Sequence, residues 1–435
     1  MTINVGGARI DRLLVLGWGR TGRAVADYVQ TEGVSCAVSE RRRLDERDRA
    51  ALETRGIVYE ESGHTGRFLP DVDTVVLSPG VPMHLPLLRD VAARGIPVLS
   101  ELDLACTAVR PVPIIAVTGT NGKSSVVTLI GGLLRWPGQR VEVVGNIGAP
   151  FIGAVERRHA TDVYVVEASS FQLEQSVSFR PNVAVLLNLA PDHIERHGTM
   201  AAYAEAKGRL FRLQTIDDTA ILPGALSAQF ARGSARRVFF DELSLPADAE
   251  RLLPYQRANL RAAMAACVAH DPAFDPNRVP IDLVVGTLRL PFRMTDLGVI
   301  RGVRVINDSK ATNPHATVAA LQSIDGPVVL MLGGRHKGDG YSSLRDAIGR
   351  SNVRTVVLFG EARARLDDEL DGVSAELRHA KDLTAAVDAA LTSAQPGDTV
   401  LFSPACSSYD AYPSFEERGA AFERLIKSRG ESPIR

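Results

Sequence analysis

The stretch from Gly119 to Ser124 contains the residue types that bind a nucleotide phosphate. In such a loop the glycines let backbone N–H groups turn toward phosphate oxygens, Lys123 adds a positive charge, and Ser124 offers a hydroxyl to Mg²⁺. The strict nucleotide-loop pattern has glycine where Val117 stands, so this loop is a shorter Gly-x-x-Gly-Lys-Ser variant. We predict that it binds ATP.

Two polar residues follow apolar runs downstream of this loop, at positions where metal ligands could stand. Glu167 ends the run that begins at Asp162, and His193 comes shortly after the run from Val183 to Leu187. Because ligands gather at the carboxyl ends of parallel strands, both side chains are expected at the sheet edge that carries the loop. A carboxylate and an imidazole there could hold a divalent ion. The alternatives are a salt bridge for Glu167 and an ordinary polar contact for His193.

A second glycine-rich segment, from Gly17 to Gly22, follows an apolar run near the start of the chain. With a helix after it and Glu40 at the end of the next strand, it has the pattern of a dinucleotide-binding βαβ unit. Two ligands are compatible with this pattern: NAD(P), with Glu40 accepting a ribose hydroxyl, or another diphosphate at the same helix N-terminus. The spacing by itself slightly favours NAD(P).

Apolar runs of strand length alternate with helical segments along the whole chain, which predicts an α/β protein of three domains. Glycine and polar residues follow two strands of the third domain, at Gly333 to Gly338 and at Ser403 to Ser408, and predict a second ligand site. The stretch from Ser100 to Pro113 is expected to be a linker. We place a Rossmann-like domain at residues 1–100, a central P-loop ATPase-like domain with a mostly parallel sheet at 101–290, and a C-terminal Rossmann-like domain at 291–435.

The overall charge is nearly balanced, with 50 Lys and Arg against 51 Asp and Glu and a formal net charge of −1. No strong field favours nucleic acid or an anionic membrane surface, so small-molecule partners are expected. The four cysteines lack metal-ligand spacing and are expected to be reduced thiols. Neither a signal segment nor a membrane-spanning apolar run is visible. We therefore expect a cytoplasmic monomer that does not insert into a membrane.

Five segments in order along the chain resemble the motifs of the Mur ligases, and the resemblance extends over essentially all three domains. It implies an ATP-dependent acid–amino-acid ligase of peptidoglycan precursor synthesis, which activates a carboxylate as an acyl phosphate and then joins it to an amine. The implied substrates are UDP-N-acetylmuramoyl-L-alanine and D-glutamate, and the D configuration depends on the resemblance alone. The five segments are TGTNGKS from Thr118, EASSFQLE from Glu167, the residues from Asn188 to His197, NDSKATN from Asn307, and SPACSSYD from Ser403.

The resemblance also implies roles for individual residues, and it replaces NAD in the first domain by a UDP-sugar. The implied ATP contacts are Thr118, Gly119, Thr120, Asn121, Gly122, Lys123, Ser124, Ser125, Asn259, Arg293 and Asp308. The implied UDP-substrate contacts are Arg20, Thr21, Arg41, Ser78, Asn146 and His193. The implied glutamate contacts are Thr312, Lys337, Ser408 and Phe415. The implied catalytic residues are Lys123, Glu167, His193, Lys207 and Lys310, and two Mg²⁺ ions are expected near Ser124, Glu167, His193 and Lys207.

Lys207 is a surface lysine if its alanine-rich neighbourhood is considered alone, whereas the resemblance implies a carbamylated Lys207 that is an anionic Mg²⁺ ligand. The chain departs from the family at two places, with Tyr255-Gln256 where His-Asn is usual and Phe292 where His is usual. Adenine and ribose contacts are therefore the least supported. Two other functions stay open: a Mur-like protein that binds nucleotide without catalysis, and an NAD(P)-dependent oxidoreductase built on residues 17–40.

Overall fold

The computed structural model describes residues 3–230, 232–338 and 340–430. The chain forms two compact units. Their sheets are three mostly parallel α/β sheets and one two-stranded antiparallel sheet, so the predicted α/β class is confirmed. The predicted domain boundaries stay predictions. One unit comprises Met1–Leu189, Ala201–Ala249 and Arg257–Val284, and the other comprises Ala190–Met200, Glu250–Gln256 and Val285–Arg435.

The first unit begins with an antiparallel hairpin and a five-stranded parallel sheet of order β5-β4-β3-β6-β7. The strand order reverses between β3 and β6, and in open parallel sheets such a reversal opens a crevice beyond the strand ends. The hairpin strands are β1 (Ile3–Val5) and β2 (Ala8–Ile10), and the sheet strands are β3 (Arg12–Leu16), β4 (Ser35–Ser39), β5 (Val58–Glu60), β6 (Thr74–Leu77) and β7 (Val98–Ser100). The helices of this part are α1 (Arg20–Thr31), α2 (Glu46–Thr54) and α3 (Leu87–Ala93).

The prediction of a linker from Ser100 to Pro113 is wrong, because helix α4 (Glu101–Ala108) occupies most of it. The Ser100 side chain accepts from the Asp103 N–H, and the Asp103 carboxylate accepts from the Ser100 N–H, which caps the helix N-terminus on both sides. Asp103 is fully buried and also accepts from Ser176 and from residues 177–178. Helix α4 is thus packed into the first unit.

The central sheet of the first unit has six parallel strands in the order β13-β12-β11-β8-β10-β9. Its register places Glu167 opposite both Val117 and Gly145, and Leu186 opposite Thr118. The ends of β10 and β11 therefore flank the end of β8, where the glycine-rich loop begins. The strands are β8 (Ile114–Thr118), β9 (Val141–Gly145), β10 (Val163–Glu167), β11 (Val183–Leu186), β12 (Thr219–Leu222) and β13 (Arg236–Phe239).

Between residues 123 and 287 the sequence predicts three helices, from Ser125 to Trp136, from Tyr203 to Gln214 and from Tyr255 to His270. The first and the third are confirmed to within two residues at each end, and three short helices in this range are not predicted. The helix predicted from Tyr203 to Gln214 ends at Gly208, a residue with low helix propensity, and a 3₁₀ turn covers Arg209–Phe211. The helices are α5 (Lys123–Arg135), α6 (Ser170–Gln175), α7 (Ile194–His197), α8 (Met200–Gly208), α9 (Pro254–His270) and α10 (Ile281–Thr287).

The second unit contains a six-stranded sheet of order β14-β15-β19-β16-β17-β18, in which only β14 is antiparallel to its neighbour. The sequence predicts the four inner strands, which are continuous apolar runs, but not the half-exposed edge strands β14 and β18. The strands are β14 (Thr295–Ile300), β15 (Val303–Asn307), β16 (Val328–Gly333), β17 (Val353–Phe359), β18 (Glu376–His379) and β19 (Thr399–Phe402). The helices are α11 (Pro314–Leu321), α12 (Ser342–Arg350), α13 (Arg363–Glu369), α14 (Leu383–Ser393) and α15 (Phe415–Gly430).

Two predictions from composition concern the cysteines and the membrane. All four cysteines are free thiols, as predicted. Among residues 3–230, 232–338 and 340–430, no helix has the length and apolar character needed to cross a membrane.

Candidate functional site

The glycine-rich loop connects β8 to the N-terminus of α5, as predicted. Gly122 caps the helix with a φ of +88°, and a Cβ atom there would lie 2.6 Å from Asn259 Oδ1. Glycine is therefore needed both for the backbone conformation and for the approach of Asn259. The N–H groups at the start of a helix and the helix dipole favour an anion at this end. The structure thus places Asn259 against the loop to which the sequence assigns the nucleotide.

Asn188, which has no individual role in the sequence interpretation, holds the loop in place from the end of β11. The Asn121 N–H donates to Asn188 Oδ1 (2.9 Å), and Asn188 Nδ2 donates back to the Asn121 carbonyl (3.1 Å). The Thr120 N–H donates to the Asn188 carbonyl (3.1 Å). Asn188 follows directly after an apolar strand predicted beside the loop strand, and that position was the signal in the sequence. It fixes the loop before any ligand binds.

Two lysine ammonium groups meet at one carbonyl of the loop. Lys123 Nζ donates to the carbonyls of Gly119 (2.9 Å) and Thr120 (2.8 Å), and Lys207 Nζ also donates to Gly119 (2.8 Å). Lys207 is 1% exposed and lies 4.5 Å from the centre of the Tyr203 ring. The interpretation of Lys207 as a surface lysine is wrong, because α8 returns it to the loop. Two like charges this close repel each other and strongly favour an anion nearby.

Glu167 lies at the end of β10 and is 2% exposed. Its Oε1 accepts a hydrogen bond from Asn146 Nδ2 (2.8 Å), whereas its Oε2 is buried and has no hydrogen-bond partner among the described residues. A buried carboxylate oxygen without a donor is costly and rare, and a ligand would satisfy it. Because Mg²⁺ prefers oxygen ligands, this oxygen fits the predicted metal site.

The described residues contain no group of three or more His, Cys, Asp or Glu side chains arranged to hold a metal ion. A magnesium ion beside Glu167 would therefore need oxygens from other sources, such as the buried Ser124 on the first turn of α5, or phosphate groups. The predicted metal ligands are compatible with this requirement, because only Glu167 and His193 among them supply a carboxylate or an imidazole.

His193 belongs to the second unit, while Glu167 and Lys207 belong to the first. Its backbone has a φ of +56°, and its ring nitrogens lie 3.7 Å from Asp192 Oδ2 and 3.6 Å from Glu195 Oε1. The predicted meeting of His193 with Glu167 stays a prediction.

A cleft of about 520 Å³ opens in the first unit where the strand order of the N-terminal sheet reverses. Five of the predicted UDP-substrate residues line it. Glu40 also lines it, and its two oxygens accept from the backbone N–H groups of Trp18 (2.6 Å) and Arg42 (3.0 Å), which uses about half of the acceptor capacity of this carboxylate. The five predicted residues are Arg20, Thr21, Arg41, Ser78 and Asn146.

His64 is a lining residue of this cleft that the sequence interpretation missed. Its Nδ1 lies 2.6 Å from Ser39 Oγ, and burial lowers the pKa of His64, so the ring is neutral at pH 7. No motif marks it, because it reaches the cleft from a loop after β5.

The predicted glutamate residues of the second unit lie at adjacent strand ends. Lys337 Nζ lies 3.3 Å from Thr312 Oγ1 and 3.3 Å from Asp192 Oδ1. The loop with Lys337 pairs with the loop before Ser408, because the backbone groups of Arg335 and Ser407 exchange hydrogen bonds of 2.9 and 3.0 Å. The structure thus brings Lys337 and Thr312 together and adds Asp192, which the sequence interpretation did not assign.

Lys310 lies 4.7 Å from the centre of the ring of Phe415, the first residue of α15. A cation over an aromatic face is a favourable contact. Two residues with different predicted roles, catalysis for Lys310 and glutamate binding for Phe415, are therefore neighbours in the second unit.

Asp308, predicted to contact ATP, is buried in the second unit. Burial raises the pKa of Asp308 to about 7, although Ser403 Oγ (2.8 Å) and the Met294 N–H (3.2 Å) donate to it and Arg293 attracts it. Burial likewise raises the pKa of Tyr255 to about 12, with a contribution from Asp308. Arg293 and Asp308 are thus close enough to interact, and Tyr255, one of the departures from the family pattern, lies beside them.

The other departure, Phe292, is used for packing. Its φ is +59°, and its ring lies so close to Gly419 that a Cβ there would be 2.4 Å from it. Since the ring covers helix α15, position 292 offers no polar group to a nucleotide.

The profile of the MurD N-terminal domain matches residues 12–85, that of the Mur ligase middle domain matches 117–251, and that of the Mur ligase glutamate ligase domain matches 292–406. The UDP-N-acetylmuramoylalanine–D-glutamate ligase of Salinibacter ruber is 36% identical over 458 aligned residues, which cover 97% of this chain and 98% of that protein. The enzyme of the same name from Desulfosudis oleivorans is 37% identical, with 97% of each chain covered.

Solved structures give the same fold at lower identity. The MurF ligase of Thermotoga maritima, determined with ADP, has a TM-score of 0.58 and 16% identity, and the match covers 91% of this chain and 96% of that one. The UDP-N-acetylmuramate–alanine ligase MurC of Thermotoga maritima has a TM-score of 0.54 and 17% identity, with 96% and 99% covered. At these identities the likeness shows that the fold is shared.

Proposed function

The chain belongs to the Mur ligase family, among the UDP-N-acetylmuramoylalanine–D-glutamate ligases, and from this membership we propose its reaction. It joins the amine of D-glutamate to the alanine carboxylate of UDP-N-acetylmuramoyl-L-alanine and converts ATP to ADP and phosphate. The product is a precursor of peptidoglycan. A cytoplasmic location and a monomeric state stay predictions from composition.

The charge gathered at the loop is the observation that carries this proposal. Lys123 and Lys207 share the Gly119 carbonyl, and the buried Glu167 Oε2 nearby has no hydrogen-bond partner. An oxidoreductase has no use for such a set, and both oxygens of Glu40 already accept backbone N–H groups. A triphosphate with a divalent ion would give a partner both to the Lys123 ammonium and to the Glu167 carboxylate.

The first half of the reaction places two anions together, the alanine carboxylate and the γ-phosphate of ATP. The N–H groups at the start of α5 and the Lys123 ammonium hold the phosphates and compensate their charge as the bond to ADP breaks. Mg²⁺, held by Glu167 and Ser124, would lower the repulsion between carboxylate and phosphate. In-line attack of the carboxylate on the γ-phosphorus then gives an acyl phosphate and ADP.

Lys207 is proposed to be carbamylated. Its ammonium would lose one proton, and the resulting neutral amine would add to CO₂, forming a nitrogen–carbon bond and releasing a second proton, so that an anion replaces the cation. Burial and the neighbouring ammonium of Lys123 both penalise a charged Lys207. Among the described residues, no three His, Cys, Asp or Glu side chains lie together so as to hold a metal ion, and this supports an additional anionic ligand at Lys207.

The second half of the reaction uses groups of the second unit. Lys337, Thr312 and Ser408 are proposed to hold the carboxylates of glutamate through charge and hydroxyl donors. With the carboxylates fixed, the glutamate amine is presented to the acyl phosphate and displaces the phosphate. For the first half, His193 is proposed to hold a metal ion, Lys310 to compensate the charge on the phosphates, and Asp308 with Arg293 to contact ATP.

A phosphate-release assay with single omissions tests the proposal. Phosphate should appear only when ATP, Mg²⁺, UDP-N-acetylmuramoyl-L-alanine and D-glutamate are all present. D-Glutamate should exceed L-glutamate and D-aspartate in initial rate, since a site that pairs a carboxylate rejects an analogue that cannot reach it. Turnover without the UDP-sugar, or nucleotide binding without any phosphate release, would refute the ligase function.

A further inference from the structure

Arg418, on the first turns of helix α15, is the largest charged side chain that the fold buries, with 1% of its surface exposed. Its Nε donates to Ser309 Oγ (3.1 Å) and its Nη2 donates to the Ser309 carbonyl (2.9 Å). Its Nη1 donates to the carbonyls of Cys406 (3.0 Å) and Gly333 (3.4 Å). All these acceptors are neutral, and within the described residues no carboxylate forms an ion pair with Arg418.

These acceptors stand at the ends of three adjacent strands. Ser309 follows β15, Cys406 follows β19, and Gly333 ends β16, which are neighbours in the order β15-β19-β16. A planar guanidinium with several fixed donors can hold three chain segments at set distances, which a single ammonium cannot do. Arg418 is therefore the common attachment of three loops.

The same three loops carry the residues proposed to bind glutamate. Thr312 lies three residues after Ser309, Lys337 four residues after Gly333, and Ser408 two residues after Cys406. Phe415 is tied to the same cluster, because Ser309 Oγ donates to its carbonyl (2.9 Å). Displacement of Arg418 would move these groups relative to one another.

Burying a guanidinium without an ion-pair partner costs free energy, and apolar side chains of the same volume would pack helix α15 at a lower cost. Burial lowers the pKa of Arg418 to about 10, which leaves it charged at pH 7. The ligand proposed for this strand edge is a dicarboxylate, which a positive charge in a low-dielectric interior attracts.

We propose that Arg418 is a positioning residue for the amino-acid substrate: it fixes the loops after β15, β16 and β19 and gives their edge a positive charge. This inference rests on the proposed function and extends it to a residue that does not itself touch the reacting atoms. It acts through Thr312, Lys337 and Ser408. The UDP-sugar is not bound through these loops, so its binding does not depend on Arg418, whereas the loop after β15 also carries Asp308 and Lys310, for which roles at ATP are proposed.

The test measures initial rates of the full chain with Arg418→Lys and Arg418→Met, each substrate being varied in turn. Arg418→Lys keeps the charge but not the planar set of donors, and we expect the KM for glutamate to rise about tenfold while the KM for the UDP-sugar stays within twofold. Arg418→Met should raise the KM for glutamate further. The matched control is Arg429→Lys on the same helix, where an exposed arginine pairs with Asp388 (3.0 Å) and no effect is expected.

If Arg418→Lys does not fold, Ser309→Ala serves instead, because it removes one acceptor and leaves the guanidinium in place. It should raise the KM for glutamate several-fold and leave the KM for the UDP-sugar unchanged. An unchanged KM for glutamate in a folded variant, or an equal loss of all parameters, would overturn the inference while an active wild-type protein keeps the ligase function. A wild-type protein without ligase activity would overturn both.

Discussion

Replacing Asn188 by Ala removes the side chain that holds the phosphate loop and should weaken ATP binding. Two hydrogen bonds are lost, at 2.9 and 3.1 Å to the backbone of Asn121, while the bond from the Thr120 N–H to the backbone of residue 188 remains. Each such bond contributes about 0.5–1.5 kcal/mol net, so the loop loses about 1–3 kcal/mol of preorganisation. If ATP binding has to restore that order, its Kd rises about 5- to 150-fold.

Titration calorimetry with ATP and Mg²⁺ measures this Kd directly, and the matched control is Asn182→Ala. Asn182 accepts a hydrogen bond from the Ile114 N–H (2.9 Å) at the opposite end of the same strand, β8. The control loses one side-chain hydrogen bond instead of two, so it should lose about 0.5–1.5 kcal/mol of stability without a change in ATP affinity. If Asn188→Ala binds ATP within twofold of the wild type, or if both variants lose ATP affinity equally, Asn188 supports only the fold and the reasoning fails.

Three other outcomes are expected. Stripping CO₂ from the buffer should reduce activity, and bicarbonate should restore it, because Lys207 would revert to a cation beside Lys123; full activity in CO₂-free buffer would exclude the carbamate. Glu167→Gln should abolish Mg²⁺-dependent turnover with little change in thermal stability, since the affected Oε2 has no protein donor to lose, and a large fall in Tm would show a structural role instead. Burial raises the pKa of Asp308 from 3.8 to about 7, so the folded protein keeps a proton that the unfolded chain releases. The stability from this proton is complete below about pH 4 and is lost as the pH rises to about 7. The Asp308→Asn variant has no carboxyl group to titrate at this position. Its free energy of unfolding in denaturant, relative to that of the wild type, should therefore increase from pH 5 to pH 8, and a constant difference would contradict the raised pKa.

The parts of the site that sequence could predict are those encoded by neighbours in the chain. The order strand, glycine loop, Lys123, helix is local, and buried parallel strands are apolar throughout, so β8, β10 and β11 could be located. Once the strands are placed, the edge that carries Glu167 and Asn188 follows from parallel geometry. The helix hidden in the predicted linker also had a local signal, the Ser100 and Asp103 pair, but the segment is too short for a clear apolar period.

The parts that could not be predicted depend on contacts between distant segments. Nothing near Lys207 in the chain shows that α8 turns it onto Gly119, which lies 88 positions earlier. Asp192 and Lys337 are separated by 145 positions, and Arg418 and Ser309 by 109. Such pairs join a charged side chain to the backbone or to another polar group, and neither partner alone differs from an ordinary surface residue.

The first domain shows how a correct motif can leave its ligand open. The segment from Gly17 to Gly22 and the following Glu40 specify a backbone geometry that suits any diphosphate at the start of α1. Which diphosphate binds depends on the atoms that remain available. The Glu40 carboxylate accepts from Trp18 and Arg42, so the group that would select a nicotinamide dinucleotide already uses about half of its acceptor sites within the chain itself. Arg20, Arg41 and Asn146 line the cleft instead, and two of these side chains are cations suited to phosphate. The spacing of a motif therefore predicts the fold of the binding segment, while the hydrogen-bond partners of its polar atoms favour one ligand over another.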